Sequence, residues 1–170
     1  MIRIRRIGAL AVPLTALALA ACGGNDNGSA STAPPTTASG KAATIGLASE
    51  GSLGKILVDS QGRTLYLFEK DTGTKSTCTG GCAEQWPPLR VSGKPVVGAG
   101  LSASKVGTTP RSDGPAEVTY NGHPLYRFAG DQKPGDTNGQ DITAFGAAWF
   151  ALSAGGNKVS GTGTGGSSGY

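Results

Sequence analysis

An internal repeat restricts this chain more than any other feature. Gly62-Arg63-Thr64-Leu65-Tyr66-Leu67-Phe68-Glu69-Lys70-Asp71 aligns with Gly122-His123-Pro124-Leu125-Tyr126-Arg127-Phe128-Ala129-Gly130-Asp131 at an offset of 60, with Gly, Leu, Tyr, Phe and Asp identical. A second echo sets Trp86-Pro87-Pro88-Leu89 against Trp149-Phe150-Ala151-Leu152 at an offset of 63, so one loop differs by about three residues.

Each unit reads as a hairpin. Val118-Thr119-Tyr120 and Leu125-Tyr126-Arg127-Phe128 flank Asn121-Gly122, a dipeptide suited to the left-handed dihedrals of a tight turn. In the first unit, Lys55-Ile56-Leu57-Val58 and Thr64-Leu65-Tyr66-Leu67-Phe68 flank Asp59-Ser60-Gln61-Gly62. Alternation in a strand puts the Tyr and Phe of each Leu-Tyr-x-Phe on one face. Leu65 and Leu67, or Leu125 and Arg127, then take the other. No segment of the domain sustains helical apolar spacing over ten residues. The expected fold is all-β: a small two-unit antiparallel sheet, sandwich or partly closed barrel with an internal pseudo-two-fold repeat. Its units run over about 54–89 and 114–152.

The ends of the chain are different in kind. Met1-Ile2-Arg3-Ile4-Arg5-Arg6 and the apolar run from Ile7 to Ala21 form the charged and apolar regions of an export signal, residues 1–21. The apolar run is shorter than the ~20 residues a membrane-spanning helix needs. It ends in Leu19-Ala20-Ala21-Cys22-Gly23-Gly24, which resembles a bacterial lipobox, with an ordinary secretory cleavage site as the competing reading. The resemblance implies a diacylglyceryl group on Cys22, which holds the mature chain on membrane lipid. The anchored face is the outer face of the cytoplasmic membrane, or the outer membrane in a Gram-negative cell.

Residues 22–43 are rich in Gly, Ser, Thr and Pro, with no aromatic, and read as a disordered tether. Residues 155–170 carry seven glycines in sixteen and read as a disordered tail. A domain over 44–154 remains. The net charge of +4 and pI near 9.1 raise the question of a nucleic-acid partner. Removing Arg3, Arg5 and Arg6 with the signal leaves 12 basic against 11 acidic residues and no basic cluster, so no nucleic-acid partner is expected.

Cys78 and Cys82 lie in a Gly- and Thr-rich stretch before Trp86. In an exported chain such a pair reads first as a disulfide. A redox-active pair and a metal site compete with that reading, although zinc would need two further ligands and His123 is the one histidine. The doubled Leu-Tyr-x-Phe-x-x-Asp, the Cys-x-x-x-Cys-x-x-x-Trp-Pro-Pro-Leu run and the lipobox together resemble the bacterial secreted-repeat lipoproteins, named for a Tyr-x-[Phe/Trp/Tyr]-x-x-Asp motif. The resemblance spans about Gly54 to Leu152. It implies topology and location and carries over no catalytic residue.

Other constellations have a plain reading and a functional one. His123 reads as an exposed turn residue, because nothing in the sequence places a nucleophile beside it. Asp71 and Asp131 could serve as paired carboxylates, but an acid recurring just beyond a strand more often accepts backbone N–H bonds in the next turn. Asp131, Asp136, Asn138 and Asp141 collect oxygen ligands, a weak calcium candidate without EF-hand spacing. Tyr66, Phe68, Trp86, Tyr126, Phe128 and Trp149 could form a ligand platform. So small a domain needs them for its core, with Asp71 and Asp131 as candidate acceptors for the Tyr hydroxyls.

The expected function is a lipid-anchored, non-enzymatic structural or binding module without cofactor, whose protein or cell-wall partner is unknown. An envelope redox accessory using Cys78 and Cys82, and a glycan or metal binder, are the alternatives.

Overall fold

Strand alternation and tight turns build this domain from ten short elements, in a computed structural model that describes residues 43–161. In chain order they are β1 (Thr44–Glu50), β2 (Gly54–Asp59), β3 (Tyr66–Phe68), α1 (Gly81–Gln85), β4 (Val96–Val97), β5 (Val106–Arg111), β6 (Gly114–Tyr120), β7 (His123–Pro124), β8 (Ile142–Ala144) and β9 (Ala147–Ala151). The signal, Cys22 and the tether up to residue 42 lie outside the described residues, as does the tail beyond Gly161. No described helix is long and apolar enough to cross a membrane.

The strands form three three-stranded sheets, ordered β2-β1-β4, β3-β9-β8 and β5-β6-β7. All pairings are antiparallel except β1 with β4, which run parallel through Thr44–Val96 and Ile45–Val97. Both expected hairpins form. Asp59 N–H donates to Arg63 O at 2.9 Å and Leu65 N–H to Leu57 O at 2.9 Å, closing the first. In the second, Tyr120 pairs with His123 around Asn121 (φ 50°) and Gly122 (φ 85°). Both residues of that turn sit in the left-handed region, where Asn and Gly are tolerated best.

The two units are not independent. Leu57, Leu65 and Leu152 close a ring of backbone bonds: Leu65 N to Leu57 O (2.9 Å), Leu57 N to Leu152 O (2.8 Å) and Leu152 N to Leu65 O (3.4 Å). Val118, Leu125 and Leu89 repeat it: Leu125 N to Val118 O (3.0 Å), Val118 N to Leu89 O (2.9 Å) and Leu89 N to Leu125 O (2.8 Å). The Trp-x-x-Leu segment of each unit therefore completes the other unit's ring. A single unit would leave those backbone groups and its apolar ring open.

The alternation of Leu-Tyr-x-Phe divides the interior in two. Leu65, Leu67 and Leu125 join Ile45, Leu57, Leu89, Val118, Tyr120 and Leu152 in one buried cluster. Tyr66, Phe68 and Tyr126 join Trp86, Trp149 and the two cysteines in the other, with Phe128 packed against them.

One boundary differs from the sequence reading. The chain expected to leave the domain at Gly155 turns back and packs. Leu152 bridges Lys158, Val159 N–H donates to Ala151 O at 2.9 Å, and Gln140 Nε2 donates to Val159 O at 2.9 Å. Glycine richness signalled disorder, but here it supplies a close turn: Gly156 (φ 79°) is buried against Tyr120 and Asn121.

Candidate functional site

Where the two units meet, the repeat residues build a layered aromatic core. Phe68 stacks on Trp149 (4.0 Å between ring centroids, 7° between planes), Trp149 on Trp86 (3.9 Å, 4°), and Trp86 on Phe128 (4.4 Å, 31°). Tyr66 meets the Trp86 ring edge-on and Tyr126 meets Trp149 likewise, at 5.4 and 5.1 Å. Strands β3 and β9 position Phe68 opposite Trp149, while α1 ends directly before Trp86. Both tryptophans and both tyrosines are fully buried, so they offer no surface platform to a glycan.

The tyrosine hydroxyls cross between units. Tyr66 donates to Asp131 Oδ2 and Tyr126 to Asp71 Oδ2, each at 2.7 Å. Each aspartate uses its other oxygen on the loop that follows it. Asp71 Oδ1 accepts from Thr77 N and Oγ1, both at 2.7 Å, and Asp131 Oδ1 accepts from Asn138 N at 2.9 Å. Burial, then the neighbouring Asp131 carboxylate, pushes the Tyr66 hydroxyl well above the ordinary phenol range; burial, then Glu117, does so for Tyr126. Burial pushes Asp131 up to about 6 despite the bonds it accepts. Gly139 is needed beside this pair, because a Cβ there would lie 2.8 Å from Tyr66 Cζ and 2.9 Å from Trp86 Cη2.

Asp136, Asn138 and Asp141 do not assemble with Asp131 into a cation cage. Asp136 Oδ2 accepts from Gln132 N and Lys133 N, Asn138 Nδ2 donates to Gly130 O, and Asp141 is exposed. No group of three or more His, Cys, Asp or Glu side chains suited to a metal occurs among the described residues. His123 is half-buried on β7 and lines an open cleft of about 510 Å³ with Glu69, Asp71 and Lys158.

The units differ beside the cysteines. Cys78 and Cys82 are disulfide-bonded with Cα atoms 5.2 Å apart, and both are buried. Cys82 lies in α1 and its carbonyl accepts from Trp86 N at 2.7 Å, so the bridge sets the turn that delivers Trp86. Unit two has β8 at the corresponding place, and Trp149 Nε1 donates to Ala144 O at 3.3 Å. Trp86 Nε1 is buried without a partner.

Sequence reasoning missed a charged cluster next to this loop. Arg111 donates to Glu117 Oε2 (2.7 Å), Ser76 Oγ (2.6 Å) and the Cys78 carbonyl (2.6 Å). Ser76 Oγ lies 2.6 Å from Tyr126 OH. Because the Tyr126 hydroxyl donates to Asp71, the donors run in one direction, from Arg111 through Ser76 and Tyr126 to Asp71. Glu117 is fully buried, and burial pushes its carboxyl up to about 7 against the lowering effect of Arg111. Its Oε1 has no partner. Hydrogen bonds from Arg111 hold Asp113, at the turn, down to about 2. Alternation in β6 with Val118 and Tyr120 facing inward marks Glu117 as outward. The Arg111 side chain, folded over that face, and Ser76 beside it cover the carboxyl.

The repeat motif places its aspartates, tyrosine hydroxyls and aromatic rings against one another. No curated protein and no solved structure matches the chain. The family described as a secreted repeat of unknown function matches residues 48–90 and 107–153, two copies that enclose both interlocked units and cover over half of the 170 residues. With both copies of that repeat present and folded against each other, the chain belongs to this family of secreted repeats.

Proposed function

We propose that this exported chain is held on the membrane through acylated Cys22 and presents its two-repeat domain as a non-enzymatic structural or binding module. One observation carries the reading: Tyr66, Asp131, Tyr126, Asp71 and the Trp86–Trp149 stack satisfy one another inside the domain. The repeat motif thus serves to build the domain, which leaves loops and edges for contact with partners. Support for the anchor comes from the Leu19-Ala20-Ala21-Cys22 run behind a cationic and apolar leader. Two acyl chains suffice for stable anchoring, since each buried CH₂ contributes roughly 0.8 kcal/mol.

The test is metabolic labelling with a radioactive fatty acid in a bacterial host. Label is expected in the wild-type chain, which should sediment with membranes. Cys22→Ser should lose label and appear in the soluble fraction. Label retained by Cys22→Ser, or a wild-type chain released without label, would overturn the anchor. Turnover of a defined substrate by the purified protein, abolished by a point substitution that keeps the fold, would overturn the non-enzymatic reading.

A further inference from the structure

The β8–β9 hairpin carries a residue at odds with both its backbone and its surroundings. Ala144 pairs with Ala147, leaving Phe145-Gly146 as a two-residue turn with φ of 57° and 94°. Positive φ at both positions favours Asn-Gly, and the chain itself uses Asn121-Gly122, at 50° and 85°, for its other tight hairpin. A bulky aromatic residue in the left-handed region is strained. Phe145 is 43% exposed, belongs to neither buried cluster, and shares with Val96 the status of exposed large hydrophobic among the described residues. Lys70 reaches over the tip and donates from Nζ to the Phe145 carbonyl at 3.2 Å.

We propose that the Phe145-Gly146 tip is a membrane-contact site that enters the interfacial layer of the bilayer holding the chain. The proposal rests on the acylated Cys22 reading. The 20 residues between Cys22 and Ala43 can span at most about 70 Å. A domain of this size has a radius of gyration of roughly 13–14 Å, so that tether lets its faces meet the lipid. An aromatic ring flanked by a lysine suits this boundary: the ring enters the acyl margin while the ammonium stays among headgroup phosphates. The tip would orient the tethered domain, exposing the opposite side to the envelope.

The test uses the full chain expressed with its own leader and reconstituted into phosphatidylcholine–phosphatidylglycerol vesicles containing acyl-brominated lipid. Trp86 and Trp149 are buried and give a constant background. Phe145→Trp is expected to shift its emission to the blue and to be quenched several-fold more than Thr108→Trp, a control at an exposed position of β5. A protein that floats with the vesicles while Phe145→Trp emission stays at its solution value overturns insertion and leaves anchoring intact. A protein that fails to float overturns both. A blue shift that follows protein concentration without vesicles assigns the tip to a second copy of the chain and overturns the proposal. Phe145→Asn, which supplies the favoured turn residue, is expected to float as wild type with a higher Tm. A lower Tm would mean that the ring packs on its own domain, which also overturns it.

Discussion

Tyr66 and Tyr126 face each other across the centre of the domain, exchanging backbone bonds: Tyr66 N to Tyr126 O at 2.8 Å and Tyr126 N to Tyr66 O at 3.0 Å. This reciprocal pair marks the pseudo-two-fold axis. Residues equivalent by repeat fall on opposite sides of it, and each hydroxyl finds the aspartate of the other unit.

That crossing is measurable by double-mutant cycles in urea. Tyr66→Phe leaves the buried Asp131 oxygen without its donor and is expected to cost about 1–3 kcal/mol. Combined with Asp131→Ala it should show a coupling energy above about 0.5 kcal/mol, whereas with Asp71→Ala the two losses should simply add. Coupling of Tyr66 to Asp71 instead would contradict the crossed pairing.

Gly139→Ala tests the closeness of the aromatic layer. A Cβ under 3.0 Å from both Tyr66 and Trp86 cannot be accommodated without moving rings already stacked. Overpacking of this kind costs roughly 1–3 kcal/mol. A Tm equal to that of wild type would show the layer to be looser than described.

Stability should rise as pH falls from 8 towards 5. Glu117 and Asp131 are raised by burial to about 7 and about 6, so between these values and their ordinary ones the folded chain binds more protons than the unfolded chain. Their contribution is present below the ordinary carboxylate range and is lost as pH rises through 6 and 7. The trend reverses in stronger acid. Asp113 is held at about 2 by hydrogen bonds from Arg111. For Asp59, burial pushes upward, but the Arg63 and Gln61 N–H groups and Arg127 leave the carboxyl below its usual value. Both contributions fade as pH drops through these lowered values. Glu117→Gln should flatten the upper limb of a Tm-versus-pH profile. An unchanged limb would show that Glu117 does not titrate there.

The disulfide should matter modestly to global stability. Closing a loop as short as Cys78–Cys82 contributes roughly 2 kcal/mol. Cys78→Ser with Cys82→Ser should lower the urea midpoint by about that much and leave a folded chain. Complete unfolding would assign the bridge a larger part in placing Trp86.

Ending the chain at Ala154 tests the boundary. It removes the carbonyls that accept from Lys105 Nζ and Gln140 Nε2, and the Val159 N–H that donates to Ala151 O. Leaving the buried Gln140 amide unpaired alone costs about 1–3 kcal/mol. Midpoints equal to those of the full chain would return the boundary to Ala154.

Much of this fold is legible locally. Alternation along Leu65-Tyr66-Leu67-Phe68 states which side chains share a face, because successive residues in a strand point opposite ways. Asn121-Gly122 and Asp59–Gly62 mark their own turns for the same local reason. Glu117 and Arg111 were not legible, since their burial depends on a loop some 35 residues away in sequence. Packing of Val159 likewise depends on Gln140 and Ala151 rather than on the glycines around it.

The sequence by itself determined that two copies of one β unit exist, which residues of each face inward, and that tyrosine and aspartate recur together. It left open which tyrosine meets which aspartate, because both copies carry both groups. Tertiary structure decided this by distance. Asp71 lies past the turn that ends β3, where its N–H donates to Phe68 O at 3.0 Å, and its carboxylate is taken by Tyr126 and Thr77. The antiparallel crossing at Tyr66 and Tyr126 brings Asp131 within 2.7 Å instead.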